Sequence, residues 1–219
     1  MIDEQTEKRK GSFWRELPIL LGVAILVAVL VRAFVLQTFY IPSQSMEHTL
    51  ERWDRVLVNK LVYDFRDPRR GEIIVFKAPT SWSSGADGED FIKRIIGQPG
   101  DNVVCCDEQQ RLKVNGVSLD EPYIFTEVDG TRNQVASQNF DIVVPEGRLW
   151  VMGDHREASG DSLQHYGDSA GGDEAGKIAE ATIPIDSVVG RAFTIFWPAG
   201  RATWLSVPDE FDAIPESGK

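Results

Sequence analysis

The stretch FIKRIIGQPGD, residues 91–101, decides the fold class of this 219-residue chain. Strand alternation places Phe91, Lys93 and Ile95 on one face and the residues between them on the other. The Pro-Gly-Asp sequence that ends the stretch is typical of a tight turn. The pattern predicts a β-strand that stops at a turn and carries a lysine among apolar neighbours.

Similar short runs, rich in Val, Ile and aromatic residues, lie on both sides of this stretch. They are RVLVNKLVY, EIIVFKAP, LKVNGV, FDIVVP, RLWVMG and SVVGRAFTIFWP. Turn signals such as Asn115-Gly116 separate them, and few segments have a helical period. We therefore predict a mainly β fold, made of antiparallel sheets or a partly closed barrel.

The β runs divide into one larger domain and an insertion. Residues 37–99 and 145–208 form the two halves of the larger domain, and residues 100–144 are predicted to be an inserted β subdomain between them. Three other stretches are predicted to lack regular structure: surface loops at 81–90 and 165–181, and a flexible tail at 209–219.

An uncharged apolar run, LPILLGVAILVAVLV, begins at Leu17 and continues beyond Arg32 as AFVLQTFYI. A helix of about 20 apolar residues crosses a bilayer, so residues 17–36 are predicted to be a single transmembrane helix. Basic residues are frequent before the run and scarce just after it, which places residues 1–16 in the cytoplasm and the remainder outside. A cleavable signal peptide is the alternative interpretation.

The formal net charge of −11 lies almost wholly beyond the apolar run. An acidic domain of this kind disfavours nucleic-acid binding, which needs Lys and Arg to neutralise phosphates. Any surface that faces a membrane should therefore be apolar, with Trp53, Trp82 and Trp197 as candidates.

The two cysteines, Cys105 and Cys106, are adjacent in the sequence. This spacing fits neither a disulfide framework nor a zinc site with four ligands. The pair could form a vicinal disulfide, bond to another chain or remain as buried thiols. We predict no metal and no cofactor.

The sequence IPSQSMEHTL, residues 41–50, places Ser43 and Ser45 directly after a proline, a pattern that alone is typical of turns and caps. Lys93 alone could be a surface lysine on an edge strand. If Lys93 is buried, desolvation lowers its pKa, and the neutral amine could accept a hydroxyl proton. His48, three residues from Ser45, is an alternative base.

Ordered segments of the chain are similar to the sequence boxes of bacterial type I signal peptidases, of the short single-span kind common in Gram-positive bacteria. The segments are PSQSM (42–46), DRVLVNK (54–60), RGEIIVFKAP (70–79), FIKRIIGQPGD (91–101), GDHREASGDS (153–162) and GRAFTIFWP (190–198). The resemblance implies a membrane-anchored serine endopeptidase that removes signal peptides by a Ser/Lys mechanism.

The resemblance also implies a role for each matching residue. Ser45 is the nucleophile and Lys93 the base, while Ser43 joins the backbone N–H of Ser45 in the oxyanion hole. Ser159 orients the lysine amine. The supporting charged residues are Arg94, Asp154, Arg156 and Asp161.

Departures from the family pattern lie around Asp161. Leu163 stands where the family usually has arginine, so we expect Arg156, Arg94 or Arg191 to pair with Asp161. His155 stands where asparagine is usual, and His48 where proline is usual.

The resemblance further implies that an exported precursor docks as an extended strand, with small side chains at the first and third positions before the cut. The residues expected to line their pockets are Phe39, Ile41, Met46 and Ile92. The expected partners are signal-peptide-bearing precursors and the lipid bilayer of the plasma membrane, and the chain is expected to be monomeric. A non-catalytic peptide-capturing domain and a more specialised Ser/Lys protease are the alternatives.

Overall fold

Two antiparallel sheets dominate the computed structural model, which describes residues 10–83, 88–169 and 172–217. The strands are β1 (Leu36–Tyr40), β2 (Arg55–Asn59), β3 (Ile73–Lys77), β4 (Asp90–Gly97), β5 (Asn102–Cys105), β6 (Leu112–Val114), β7 (Val117–Ser118), β8 (Phe140–Val143), β9 (Arg148–Met152), β10 (Ile183–Pro184), β11 (Val188–Trp197) and β12 (Thr203–Trp204). The prediction of a mainly β fold with antiparallel sheets is confirmed.

The helices are few and, apart from the first, short. They are α1 (Lys10–Leu30), α2 (Val62–Phe65), α3 (Ser162–Asp168) and α4 (Glu174–Ala181). A π-helical turn, Val31–Val35, joins α1 to β1. The apolar side chains of α1 between Leu17 and Val29 are exposed. Among the described residues, no helix has the length and hydropathy required to span a membrane.

The larger sheet has eight strands in the order β1-β2-β11-β3-β4-β9-β10, with β12 added to β11. Its long strand β11 changes register between Ala192 and Thr194 and again between Ile195 and Trp197. Such bulges bend a strand and increase its twist. The sheet is curled, so that β1 and the start of β4 line the same cleft.

Side-chain alternation along β3 and β4 gives this sheet two buried faces. Val75 and Ile92 pack on one face with Ile41 and other apolar residues near the start of the domain. Ile74 and Ile95 pack on the opposite face, in a separate cluster. Because both faces are buried, each strand has a fixed register, which fixes the direction of every side chain along it.

The insertion forms a four-stranded sheet in the order β7-β6-β5-β8, within the stretch 100–144 where the sequence predicts a subdomain. Asn115 and Gly116, which join β6 to β7, have φ angles of 50° and 82°. This left-handed backbone suits the Asn-Gly hairpin turn. The apolar face of the sheet shares one core cluster with Trp150 of the larger sheet. In β5 and the next residue, Cys105 and Cys106 are joined as a vicinal disulfide.

The prediction of a surface loop over 165–181 is wrong for most of that stretch, because α3 and α4 occupy it on either side of residues 170–171, which lie outside the described part. Each helix begins at an aspartate whose carboxylate accepts a backbone N–H, Asp161 from Leu163 and Asp173 from Gly176. These caps stabilise two short helices that each contain a glycine.

The predicted loop 81–90 is described only in part, since residues 84–87 lie outside the described residues. At its start, a short 3-10 turn, Thr80–Trp82, buries the indole of Trp82. The expectation that this tryptophan could face a membrane is therefore wrong. Trp53 and Trp197 are both more than half exposed, as that expectation requires.

The predicted flexible tail is instead ordered over residues 209–217. Phe211 and Ile214 are buried in the core cluster below the inserted sheet. Ser217 donates a side-chain hydrogen bond to the carbonyl of Pro99 at 3.0 Å. Burial of these apolar side chains stabilises the packing of the tail against the domain.

Candidate active site

The turn that carries Ser45 follows directly from the edge strand β1. Ile41 continues the ladder, since its N–H donates to the carbonyl of Asp54 and its own carbonyl accepts from Trp53. The chain then turns, leaving Ser43 exposed and burying the side chain of Ser45. The nucleophile predicted from the sequence therefore lies on a turn fixed by strand hydrogen bonds on one side and by core packing on the other.

Lys93 approaches Ser45 from β4, where it lies opposite Ile74 of β3. Its Nζ is 2.7 Å from Oγ of Ser45, and both side chains are buried. Desolvation by burial lowers the pKa of Lys93 to about 8, while the charges of Asp161 and Asp154 raise it. A large fraction of the amine is thus neutral near pH 8, as a general base requires.

Ser43 lies beside these two residues. Its Oγ is 3.4 Å from Oγ of Ser45, and both serines line the same cleft. Two hydroxyl groups therefore face the space in front of the Ser45 oxygen. This is the arrangement needed for a side-chain donor that reaches a developing oxyanion.

Ser159 is buried behind Ser45, against Gly153. In the described part of the chain, its Oγ has no hydrogen-bond partner, so the expected hydrogen bond to the amine of Lys93 is not formed there. A methyl group added at Gly153 would lie 2.3 Å from this oxygen and 2.3 Å from the carbonyl oxygen of Ser45. Glycine at 153 is therefore required for the close approach of these segments.

The guanidinium of Arg94 holds the carboxylate of Asp154 through two hydrogen bonds, of 2.8 and 2.6 Å. It also donates to the carbonyl of Gly71 and lies 4.1 Å from the ring centroid of Tyr123. Asp154 in turn accepts a hydrogen bond from the hydroxyl of Thr49, in the turn after the nucleophile. This buried pair joins β4, the inserted subdomain and the turn that carries Ser45 and Thr49.

Arg156 forms a second buried pair, with Glu121 of the insertion, at 2.6 Å. It also donates to the carbonyls of Gly153 and Val135. The sequence reasoning missed Glu121, because 35 residues separate it from Arg156 and it belongs to none of the matching segments. The domain contains many acidic residues, and nothing in the sequence marks Glu121 as a buried one.

The prediction that an arginine pairs with Asp161 is wrong among the described residues. Arg94, Arg156 and Arg191 pair instead with other acids, namely Asp154, Glu121 and Glu72. The carboxylate of Asp161 accepts the backbone N–H groups of Gly153 and Leu163, at 2.9 and 3.0 Å. Leu163, where the family has arginine, is buried in the core. Backbone donors therefore satisfy Asp161.

His155 and Glu47 make a contact that the sequence analysis did not anticipate. The backbone N–H of His155 donates to the carbonyl of Ser45 at 3.1 Å. Its Nδ1 lies 3.1 Å from a carboxylate oxygen of Glu47, two residues beyond Ser45, and its ring stacks on Phe125. The nucleophile turn is thus tied at two points to the segment that follows β9.

The alternative base, His48, is exposed and is not among the residues that line the cleft at Ser45. It lies on another part of the surface, beside Trp204. Its left-handed φ of 83° belongs to the turn that follows the nucleophile. The geometry therefore favours Lys93 over His48 as the partner of Ser45.

A cleft of about 360 Å³ opens in front of Ser45 and Lys93. Three of the predicted substrate-binding residues, Phe39, Ile41 and Ile92, line it. The fourth, Met46, is fully buried in the core and is not among the lining residues, so this prediction is wrong. Among the lining residues that the sequence analysis missed are Trp82, Glu89, Gln164 and His165.

Known proteins with similar sequences are named as signal peptidases. The family described as "Signal peptidase, peptidase S26" matches residues 14–197. The "Probable signal peptidase I-2" of Synechocystis sp. is 36% identical over 97% of this chain and 88% of its own. The "Probable signal peptidase I" of Mycobacterium leprae is 32% identical, covering 89% and 79%. The "Signal peptidase I T" of Bacillus subtilis is 31% identical, covering 89% and 91%.

Proposed function

This chain belongs to the signal peptidase family and is therefore a peptide hydrolase, and we propose that it removes signal peptides from exported precursors with Ser45 as nucleophile and Lys93 as general base. The observation that carries the proposal is the buried contact of 2.7 Å between Nζ of Lys93 and Oγ of Ser45. The pKa of Lys93, lowered by burial to about 8, supports it.

In the proposed reaction, Oγ of Ser45 attacks the carbonyl carbon of the scissile bond while neutral Lys93 accepts the hydroxyl proton. The hydroxyl of Ser43 and the backbone N–H of Ser45 stabilise the oxyanion. As the C–N bond breaks, the ammonium of Lys93 gives its proton to the leaving amine, and an acyl-enzyme remains. Water then gives a proton to Lys93 and its hydroxide attacks the ester. As the ester C–O bond breaks, the ammonium of Lys93 returns this proton to Oγ of Ser45, which releases the signal peptide and restores both residues.

The two free strand edges beside the cleft support docking of the precursor as an extended chain. β1 is the terminal strand of the larger sheet, and β9 pairs with β4 only at Arg94 and beyond. Among the described strands, none pairs with the remaining edge of residues 90–93. Antiparallel pairings link β1 to β4 through β2, β11 and β3, so both strands run in the same direction, toward Ser45 and Lys93. An extended peptide between them gains main-chain hydrogen bonds from both.

Specificity for small side chains is proposed to arise on the apolar side of this cleft. Phe39, Ile41 and Ile92 belong to one core cluster and also line the cleft. Alternate residues of an extended peptide point to the same side. The first and third residues before the cut are therefore the ones that contact this apolar side.

The family is membrane-associated, and we assign the membrane segment to residues 17–36. The exposed apolar side chains of α1 support the assignment, as does the exposed aromatic pair of Tyr40 and Trp53, with ring centroids 5.5 Å apart. The proposed topology places the N-terminus in the cytoplasm. Protease added to intact spheroplasts should digest an epitope tag at the C-terminus and spare one at the N-terminus. Protection of the C-terminal tag would refute this topology.

The function is tested with detergent-solubilised protein and a precursor whose signal ends in Ala-x-Ala, the products being identified by mass spectrometry. Wild type should cut once after the second alanine, and Ser45→Ala and Lys93→Met should not cut. His48→Ala serves as the matched control and should cut at the wild-type rate. Cleavage by Ser45→Ala would remove the proposed nucleophile, and loss of activity in His48→Ala would restore the alternative base.

A further inference from the structure

The cleft has a second wall, opposite the apolar side that contains Ile92. Along β4 the side chains alternate, so that Phe91 belongs to the other face and packs with the cluster that contains Trp82. A peptide that lies along the free edge of β4 alternates in the same way. If its first and third residues before the cut face Ile92, its second residue faces the wall on the side of Phe91.

This wall is built on a stacked pair of rings. The imidazole of His165 stacks on the indole of Trp82, with centroids 4.4 Å apart and planes inclined by 15°. Trp82 is nearly fully buried, and its indole N–H donates to the carbonyl of Glu180 at 2.8 Å. Its ring also meets the edge of Phe76. The indole of Trp82 is therefore fixed in position, and the half-buried ring of His165 stacks over it as the outer layer.

His165 and its neighbour Gln164 both line the cleft from α3. Within the described residues, neither the imidazole nitrogens nor the Gln164 amide has a hydrogen-bond partner. Burial lowers the pKa of His165, although the charges of Asp161 and Asp168 raise it, so the ring is neutral at pH 7. A neutral flat ring with an amide at its rim favours contact with another flat side chain.

We propose that Trp82, His165 and Gln164 form a subsite for the second residue before the cut, and that this subsite prefers a large flat side chain, aromatic ones above all. The proposal rests on the proposed function. His165 is the residue that contacts the substrate and determines the preference, and Gln164 closes the rim of the subsite. Trp82 is a positioning residue that holds the imidazole in place.

The test uses precursors that are identical except for phenylalanine or glycine as the second residue before the cut. Both are mixed in one reaction, and mass spectrometry gives the ratio of their kcat/KM values. Wild type should prefer phenylalanine by about two- to tenfold, the range expected for one stacked aromatic pair. His165→Ala should bring the ratio to about one by lowering kcat/KM on the phenylalanine precursor more than on the glycine precursor.

Two further variants separate a specific contact from a structural effect. His165→Phe keeps a flat ring on Trp82 and should retain the preference. Lys177→Ala, on the neighbouring helix α4 and outside the cleft, is the control and should leave the ratio unchanged.

Equal rates for both precursors in wild type, or an unchanged ratio in His165→Ala, would overturn the subsite. So would an equal loss on both precursors in His165→Ala, because that result indicates a structural role alone. If wild type leaves both precursors uncut at every enzyme concentration, the proposed function itself is wrong and the subsite is refuted with it.

Discussion

The backbone of Gly153 passes so close to Ser45 that a methyl group at residue 153 would lie 2.3 Å from the carbonyl oxygen of Ser45. The same methyl group would lie 2.3 Å from Oγ of Ser159. Real Cβ atoms do not approach other atoms so closely, so the nucleophile turn and the segment after β9 must move apart when this glycine is replaced. The position of Ser45 therefore depends on a residue that carries no functional group.

Gly153→Ala should lower kcat by about a hundredfold, because a displacement near 1 Å of a reacting group is enough to cause such a loss. Steady-state cleavage of the Ala-x-Ala precursor measures it. Gly200→Ala is the matched control, since a methyl group there meets nothing within 4 Å and should leave kcat unchanged. Wild-type kcat in Gly153→Ala would mean that the backbone contact has no bearing on catalysis.

Cleavage should depend on pH through the titration of Lys93. Only the neutral amine accepts the hydroxyl proton, so kcat/KM should rise with pH and level off above the pKa of about 8. Because kcat/KM reports the pKa values of the free enzyme, its pH profile gives this midpoint directly. A rising limb centred near pH 10, the ordinary range of lysine, would show that burial does not tune this residue.

The burial of Lys93 should also cost stability. Its pKa of about 8 in the folded state lies below the ordinary value of 10.5, so the unfolded chain binds more protons between these two pH values. The free energy of unfolding should therefore rise with pH across that window. At pH 7 the cost is about 3 kcal/mol.

Lys93→Met removes this charge while keeping an apolar stem of similar length. We expect an increase of about 1 to 3 kcal/mol in the free energy of unfolding at pH 7, and a flat dependence between pH 8 and 10. Denaturant unfolding followed by tryptophan fluorescence measures both. The exposed Lys77→Met is the control and should show neither effect. A Lys93→Met variant less stable than wild type at pH 7 would contradict the expected sign.

Ser43→Ala should lower kcat about ten- to a thousandfold with little change in KM, since its hydroxyl serves only the developing oxyanion. Gln44→Ala is the matched control. Gln44 lies between the two serines in the sequence, but it is exposed and does not line the cleft. An unchanged kcat in Ser43→Ala would remove this hydroxyl from the oxyanion hole. A rise in KM alone would assign it to ground-state binding.

Asp154→Ala should lower the free energy of unfolding by about 3 to 5 kcal/mol, because it leaves the guanidinium of Arg94 buried without its carboxylate. The comparison is Lys77→Ala, which breaks an exposed ion pair with Asp90 and should cost at most about 1 kcal/mol. Urea unfolding of the two variants measures the difference. Equal losses would mean that burial of the Arg94 pair has no energetic consequence.

The sequence was informative where a local pattern and a chemical requirement coincide. The alternation of FIKRII places Lys93 and Phe91 on one face, but Ser45 and Lys93 each have an ordinary structural explanation when taken alone, so their roles were predicted from the resemblance of the ordered segments. The contact between them could not be obtained from spacing, because it depends on how β1 and β4 curve toward each other. The order of the matching segments supplied that information instead.

The surroundings of the site were harder to predict because many different partners can satisfy the same buried polar group. Asp161 was expected to need an arginine, yet two backbone N–H groups satisfy it, and such donors exist at every residue. The loops at 165–181 were predicted from Gly and Ser content, whereas two aspartate caps and a few buried apolar side chains stabilise helices there. Caps of this kind contribute too little individually to be recognised against a glycine-rich background.

The unpaired edge of β4 has a consequence for solubility as well as for binding. Open strand edges recruit other strands and so begin aggregation. In the described part of this protein, the unpaired edge of residues 90–93 lines a cleft. A single extended chain can therefore reach these hydrogen-bonding groups more easily than the sheet of a neighbouring folded copy can, which limits self-association through this edge.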